Sequence, residues 1–420
     1  MQKADFRRLV LARNFRLLVA VRVAGTFADG LLQAALTSFV LFSPERQPTP
    51  VAVLTAFGVL LLPYSFIGPF VGVVIDRWSR QRILVIATLL RAVGMLAVAA
   101  TVSSGEDGRG LALVVLVALG IARFVLATLS ASLPHVVDED LLVSANAVAP
   151  TAGTLMSIVG GLVGLTITTS LGGGDQVSVY LICASAVLHV VASLFATGIP
   201  RNLLGPHKPE RRTLWDVLAW LNGGLQHLRQ HPRAGRAIFT VSLHRMGFGG
   251  ATLLTLILMR NAFHTVEEAN EALQMFSLSI GFAGGGALLG AILTPPMTER
   301  LGVVRWARLV LFVASLVILT GYGYGVLQAP KTAAFASVLL GAAAIGFAGQ
   351  CVKICSDSIV QTTIDDAFRG RVFAIYDMSL NVAIIIGTAI AAYTLPATGQ
   401  SLVYVALLAS IVALASAIKN

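Results

Sequence analysis

The stretch Gly68-Pro69-Phe70-Val71-Gly72-Val73-Val74-Ile75-Asp76-Arg77-Trp78-Ser79-Arg80-Gln81-Arg82 decides the architecture. A long apolar run ends within it, in one acid and three arginines, and a second apolar run opens at Ile83. A short basic turn between two hydrophobic runs is hard to place in a water-soluble fold. It fits a cytoplasmic loop joining two membrane helices.

The composition extends this reading to the whole chain. Of 420 residues, 56% are hydrophobic and 12% are charged, against about 25% charged for a soluble domain. The mean hydropathy is +0.83. The expected fold class is an all-α polytopic membrane protein. A membrane-spanning helix needs about 20 apolar residues. Twelve runs qualify, near 17–42, 51–75, 83–104, 110–132, 147–171, 177–198, 236–260, 271–294, 306–328, 332–355, 372–395 and 400–418. The polar segment 199–235 separates a six-helix bundle over 1–198 from a second over 236–420 and is expected to be a cytoplasmic loop.

The net charge of +10 is explained by its placement. Most Lys and Arg fall in segments on the side of the N-terminus, while Arg46, Arg109, Arg260 and Lys331 lie on the other. This asymmetry predicts a multi-pass cell-membrane protein with both termini cytoplasmic. The bilayer is therefore the expected partner of the basic loops, and no nucleic acid is needed. The basic N-terminus precedes a run longer than a signal h-region, which reads as a retained first helix. Cys183, Cys351 and Cys355 lie in apolar runs, so neither a disulfide framework nor a metal site is expected.

The halves echo one another. Arg22 precedes Leu31-Leu32 in span 1, and His244-Arg245 precedes Leu253-Leu254 in span 7. Asp76-Arg77 follows span 2 as Glu299-Arg300 follows span 8. Weak symmetry at half the chain length marks transporters built from repeated halves. Small-xxx-small spacings at Gly68/Gly72, Gly160/Gly164, Gly281/Gly285 and Gly286/Gly290 are expected to bring helix backbones close together.

Twelve spans, a long central loop and the 72–82 segment together resemble the major facilitator superfamily over nearly the whole chain. Its loop signature G-x-x-x-D-R-x-G-R-R/K is matched by Gly72, Asp76, Arg77 and Arg80, with Ser79 where glycine is usual. The resemblance implies a conformational latch formed by these residues, with Glu299 and Arg300 as a degraded second copy. Three patches are similar to the drug:proton antiporter branch that includes macrolide and siderophore exporters. They are Ala28-Asp29-Gly30, then Leu133-Pro134-His135-Val136-Val137 with Ala145-Asn146-Ala147, and Arg369-Gly370-Arg371-Val372.

Charges within the spans are the candidates for function, because each costs about 2.5–3.5 kcal/mol at mid-bilayer. Arg22, Thr26, Asp29, Gln33 and Thr37 share one helical face, which is expected to line an aqueous cavity. Asp29 is the candidate coupling or substrate group. Burial favours the protonated form of a carboxyl and a neighbouring arginine the ionised one, so alternating access can switch between them. The competing reading is a static ion pair, for instance with Arg123, which matches the family's arginine in span 4. His244 and Arg245 complete the candidate cavity. Lys353 is expected to pair with Asp357 one turn on, and Arg91 to snorkel from the cytoplasmic face.

These features predict a secondary active transporter working by alternating access, acting as a monomer and expected to export an amphipathic or apolar small molecule, a drug-like compound or siderophore, coupled to protons. Aromatics are only 7%, too few for a typical sugar site. A second reading on the same fold is a lysophospholipid or lipid flippase that is not proton-driven. No P-loop, HExxH or Ser/His/Asp cluster marks an enzyme or primary pump. No cofactor is expected, the proton gradient being the energy source.

Overall fold

The computed structural model describes residues 8–9, 11–41, 78–105, 108–138, 141–205, 214–265, 268–327 and 331–418. The second expected span, 51–75, lies outside them, as do Gly72, Asp76 and Arg77 of the expected latch. Among the described residues the chain forms twelve helices: α1 (Arg13–Leu36), α2 (Arg80–Ser103), α3 (Arg109–Ser132), α4 (Leu142–Ser170), α5 (Asp175–Thr197), α6 (Leu214–Gln230), α7 (Pro232–Ile257), α8 (Ala269–Leu301), α9 (Val303–Leu327), α10 (Lys331–Thr363), α11 (Asp366–Thr394) and α12 (Leu402–Ala417). Nine are long and apolar enough to cross a membrane, and α12 is a shorter apolar helix. The chain is a multi-pass membrane protein. Only helices satisfy every backbone group inside a chain segment in lipid, so apolar runs of this length have no other local solution. Large apolar side chains remain exposed along them, including Leu89, Leu90, Val93 and Leu96 on α2 and Leu288, Leu289 and Ile292 on α8. That is the surface expected to meet acyl chains rather than water.

Two compact units divide the described chain, the first ending at Val217 and the second beginning at Leu218. In the first, α1 packs on α4 and α5, and α2 packs on α3 and α5. In the second, α7 packs on α11 and α12, and α9 packs on α10 and α12. The partners correspond one for one, so the sequence echo is a true structural repeat.

Glycine permits the closest crossings. A Cβ on Gly30 of α1 would strike the Ser157 carbonyl of α4, and one on Gly160 would strike the Phe27 carbonyl. The second unit repeats this where Gly249 of α7 meets Ile384 of α11 and Gly387 meets Met246. Gly286 and Gly290 of α8 similarly lie against Ala343 and Phe347 of α10. Gly281 and Gly285 do not, because a Cβ on either would meet open space. Their small-xxx-small spacing falls on the opposite, exposed face of α8.

Two further expectations change. The polar 199–235 segment holds an amphipathic helix, α6, missed because its apolar positions are too few to read as a span. The start of the same segment belongs to the first unit's core: Ile199 and Leu204 are buried with Phe15, Leu18, Leu84 and Leu129. Span 8 was expected to stop before Pro295, yet α8 continues through Pro295 and Pro296 to Leu301. It ends at Gly302, whose φ of 81° is a left-handed conformation that favours glycine.

Candidate functional site

In the first unit, Asp29 on α1 is buried and clasped by Arg91 on α2. Arg91 Nη1 donates to Asp29 Oδ2 at 3.2 Å and Nη2 donates to Oδ1. A two-point guanidinium–carboxylate fork is the strongest such pairing available to side chains. His189 Nε2, on α5, lies 3.9 Å from Asp29 Oδ1. Both nitrogens of this fully buried imidazole lack a hydrogen-bond partner among the described residues. The three groups come from three helices, and polar bonds near them set the approach. Ser185 Oγ on α5 donates to the Ala28 carbonyl at 2.9 Å, and Ser193 Oγ donates to the Val85 carbonyl of α2 at 3.2 Å.

This arrangement corrects the expected pairing. Asp29's partners are Arg91 and His189, and Arg123 is not among them; it sits half-buried on α3. Arg91 does not snorkel. It stands eleven residues along α2 from Arg80, about 16 Å at the helical rise, which is too deep for its head to reach the interface. That depth was the available signal. His189 carried none, since a single histidine in an apolar run has no pattern.

The polar face of α1 is also drier than expected. Arg22, Thr26 and Asp29 are all buried. Arg22 Nη2 donates to Ser130 Oγ of α3 at 2.9 Å, and Thr26 Oγ1 donates to the Arg22 carbonyl at 2.9 Å. Gln33 alone of the candidate residues on this helix is exposed.

The second unit carries a different cluster. His244 on α7 is fully buried and its Nε2 donates to the Ile345 carbonyl of α10 at 3.1 Å. Arg245 is half-buried, with its guanidinium 5.8 Å from the centre of the Phe248 ring. Lys353 and Asp357 form the expected i,i+4 pair on α10, with Nζ 2.7 Å from both carboxylate oxygens. The ammonium also lies 4.8 Å above the ring of buried Tyr376 on α11.

Of the latch candidates, Arg80 is engaged within its own unit. Its Nη1 donates to the Ala131 carbonyl at the end of α3 at 2.9 Å and to the Leu204 carbonyl at 3.1 Å. Its backbone N–H donates to the Gly205 carbonyl at 3.1 Å. Arg80 thus ties a helix C-terminus, rich in bare carbonyls, to the segment leaving α5. Glu299 and Arg300 are exposed at the end of α8, with no hydrogen bond or ion pair among the described residues.

Two units whose described helices pack in corresponding pairs, with charged groups among the spans of each, are a transporter's layout, and the comparisons agree. The model of the Major Facilitator Superfamily matches residues 23–388. The chain belongs to that superfamily. It is a secondary transporter, as its family is, and not an enzyme. An uncharacterized MFS-type transporter of Mycobacterium tuberculosis is 35% identical over 397 residues, covering 93% of this chain and 87% of that one. Its counterpart in Mycobacterium bovis is similar to the same extent. Among solved structures, the nucleoside transporter NupG is similar with a TM-score of 0.68 at 15% identity, covering 96% of this chain and 98% of that one. The POT family transporter PepTSo gives 0.69 at 14% identity over 96% of each chain. A bacterial homolog of the human lysosomal transporter Spinster, solved inward-facing and unoccupied, gives 0.64 at 14% identity over 97% of each. At these identities the likeness is one of fold.

Proposed function

We propose that this transporter exports an amphipathic or apolar small molecule in exchange for protons, with Asp29 as the coupling carboxylate. The observation that carries this reading is the buried Asp29–Arg91–His189 group. A carboxylate held by a guanidinium gives up much of that attraction when it takes a proton, so its protonation is linked to the α1–α2 contact. His189, whose Nε2 lies 3.9 Å from Asp29 Oδ1, is the candidate to pass the proton on when helix movement brings the two into hydrogen-bond reach. Arg22, Arg123, His244 and Arg245 are the remaining candidates for cargo contact. The basic loops favour placement in the cell membrane with both termini cytoplasmic, and the protein is taken to act as a monomer. Asp76, Arg77 and Gly72 retain the latch role that the family resemblance implies.

The test is flux in proteoliposomes, with and without an imposed pH gradient, across dyes, antibiotics, siderophores and lysolipids. Wild-type flux of a drug-like or siderophore cargo should follow the gradient, and Asp29→Asn should remove that dependence. Gradient-driven flux that survives in Asp29→Asn defeats the coupling assignment. Lysolipid movement indifferent to pH would instead identify a lipid flippase.

A further inference from the structure

The helix α6, invisible as a span, brings an unassigned cluster together. Its His227, the following His231 and Asp365 at the start of α11 each offer one ligand atom, and these atoms lie within 4.8 Å of one another. His231 follows the last residue of α6 and caps α7, and its ring centre lies 4.2 Å from that of His227. The His231 Nδ1 is 2.9 Å from the His227 carbonyl oxygen. A carbonyl only accepts, so Nδ1 carries the proton and Nε2 keeps its lone pair. Metal-bound histidines are prepared in this way, with the second nitrogen donating to a carbonyl.

His227 is the unusual member. Its side chain is 8% exposed, and its Nε2 is buried with no hydrogen-bond partner among the described residues. That atom lies 3.6 Å from Asp365 Oδ2, outside hydrogen-bonding range. The separation is close to the ~3.4 Å between ligand atoms that share a tetrahedral zinc ion. The ring cannot readily turn away, because Phe368 stacks on it at 4.2 Å and 5°. Asp365 is largely exposed and caps the start of α11, so its carboxylate is free to close the last ångström. Gly223 and Gly224 seat α6 here, since a Cβ on either would strike Arg371 of α11.

We propose that His227, His231 and Asp365 bind a divalent transition-metal ion of the zinc class, which clasps α6 to the start of α11. Two imidazoles and one carboxylate suit Zn²⁺, Co²⁺ or Ni²⁺ over Mg²⁺ or Ca²⁺, which prefer all-oxygen sites. Water would complete the coordination. A plain His–Asp ion pair accounts for the 3.6 Å separation. It does not account for a third ligand whose tautomer already presents a lone pair.

The test uses the full chain, freed of any histidine tag and stripped with EDTA, in detergent. Co²⁺ titration should show one equivalent bound per chain with a visible d–d band, displaced by Zn²⁺. His231→Ala, which leaves the stacked His227 ring in place, and Asp365→Asn should each weaken Co²⁺ binding by more than about tenfold. His264→Ala should leave it unchanged. Zn²⁺ should raise the melting temperature of the wild type and not of Asp365→Asn. Failure to bind one equivalent, or undiminished binding in His231→Ala, overturns the proposal. Neither outcome bears on proton coupling at Asp29.

Discussion

The two units share their helix packing and differ in their charges. Both have a close crossing at paired glycines, Gly30 of α1 with Gly160 of α4 and Gly249 of α7 with Gly387 of α11. The first unit then buries an ion pair contributed by different helices, with side chains 2% and 9% exposed for Arg91 and Asp29. The second places Lys353 and Asp357 on one helix, 26% and 29% exposed. Packing follows from small residues, which any copy of the repeat must keep if its backbones are to approach. Charges are under no such demand, so each unit carries its own set. A buried pair from separate helices ties those helices to one another, whereas a pair within one helix turn moves as a single body.

That contrast can be broken most directly at Arg91. Arg91→Ala leaves a buried carboxylate without its partner and should cost about 3–5 kcal/mol, read as a loss of thermal stability in detergent. The double variant Asp29→Leu/Arg91→Leu should recover most of that loss, since apolar replacement of a buried pair is often neutral or better. If the single variant unfolds no earlier than the wild type, the pair is not the structural link described here.

The packing side is tested by glycine. Gly160→Leu should cost about 1–3 kcal/mol by overpacking the α1–α4 crossing, and Gly387→Leu should match it in the second unit. Gly285→Leu on the exposed face of α8 should be close to neutral in the same assay. Equal losses at Gly160 and Gly285 would remove the distinction between a crossing and a lipid face.

The smallest effect belongs to the second unit's pair. Lys353→Met should cost less than about 1 kcal/mol, as expected for a partly solvated i,i+4 pair. Gradient-driven flux should persist in Lys353→Met. A loss comparable to that of Arg91→Ala would make the two pairs equivalent and undo the comparison.

Much of the candidate site was legible residue by residue, though not as a set. Asp29 announced itself as an acid near the middle of an apolar run. Arg91 was equally visible, but its role depended on depth: its helix begins at Arg80, and about 16 Å of rise removes the option of snorkelling. His189 could be recognised only once α5 lay against α1. Arg123 drew attention through family likeness, yet the described contacts of Asp29 are with Arg91 and His189. The linker helix α6 was hidden because periodicity over 17 residues, with Gly223-Gly224 in the middle, is a weak helix signal.

What the sequence by itself determined is the membrane architecture, because apolar length and basic loops act through the solvent and need no partner. The Gly68–Arg82 stretch carries that reading most plainly in the sequence, as an apolar run, a basic turn with the superfamily's loop signature, and a second apolar run. The pairing of Asp29 with Arg91, 62 residues apart, was decided only in the tertiary structure, as were the seating of His227 against Asp365 and the burial of Leu204 in the first unit. Side-chain partnership inside a bundle depends on which helix faces meet and at what depth. Those are properties of packing, which no single span encodes.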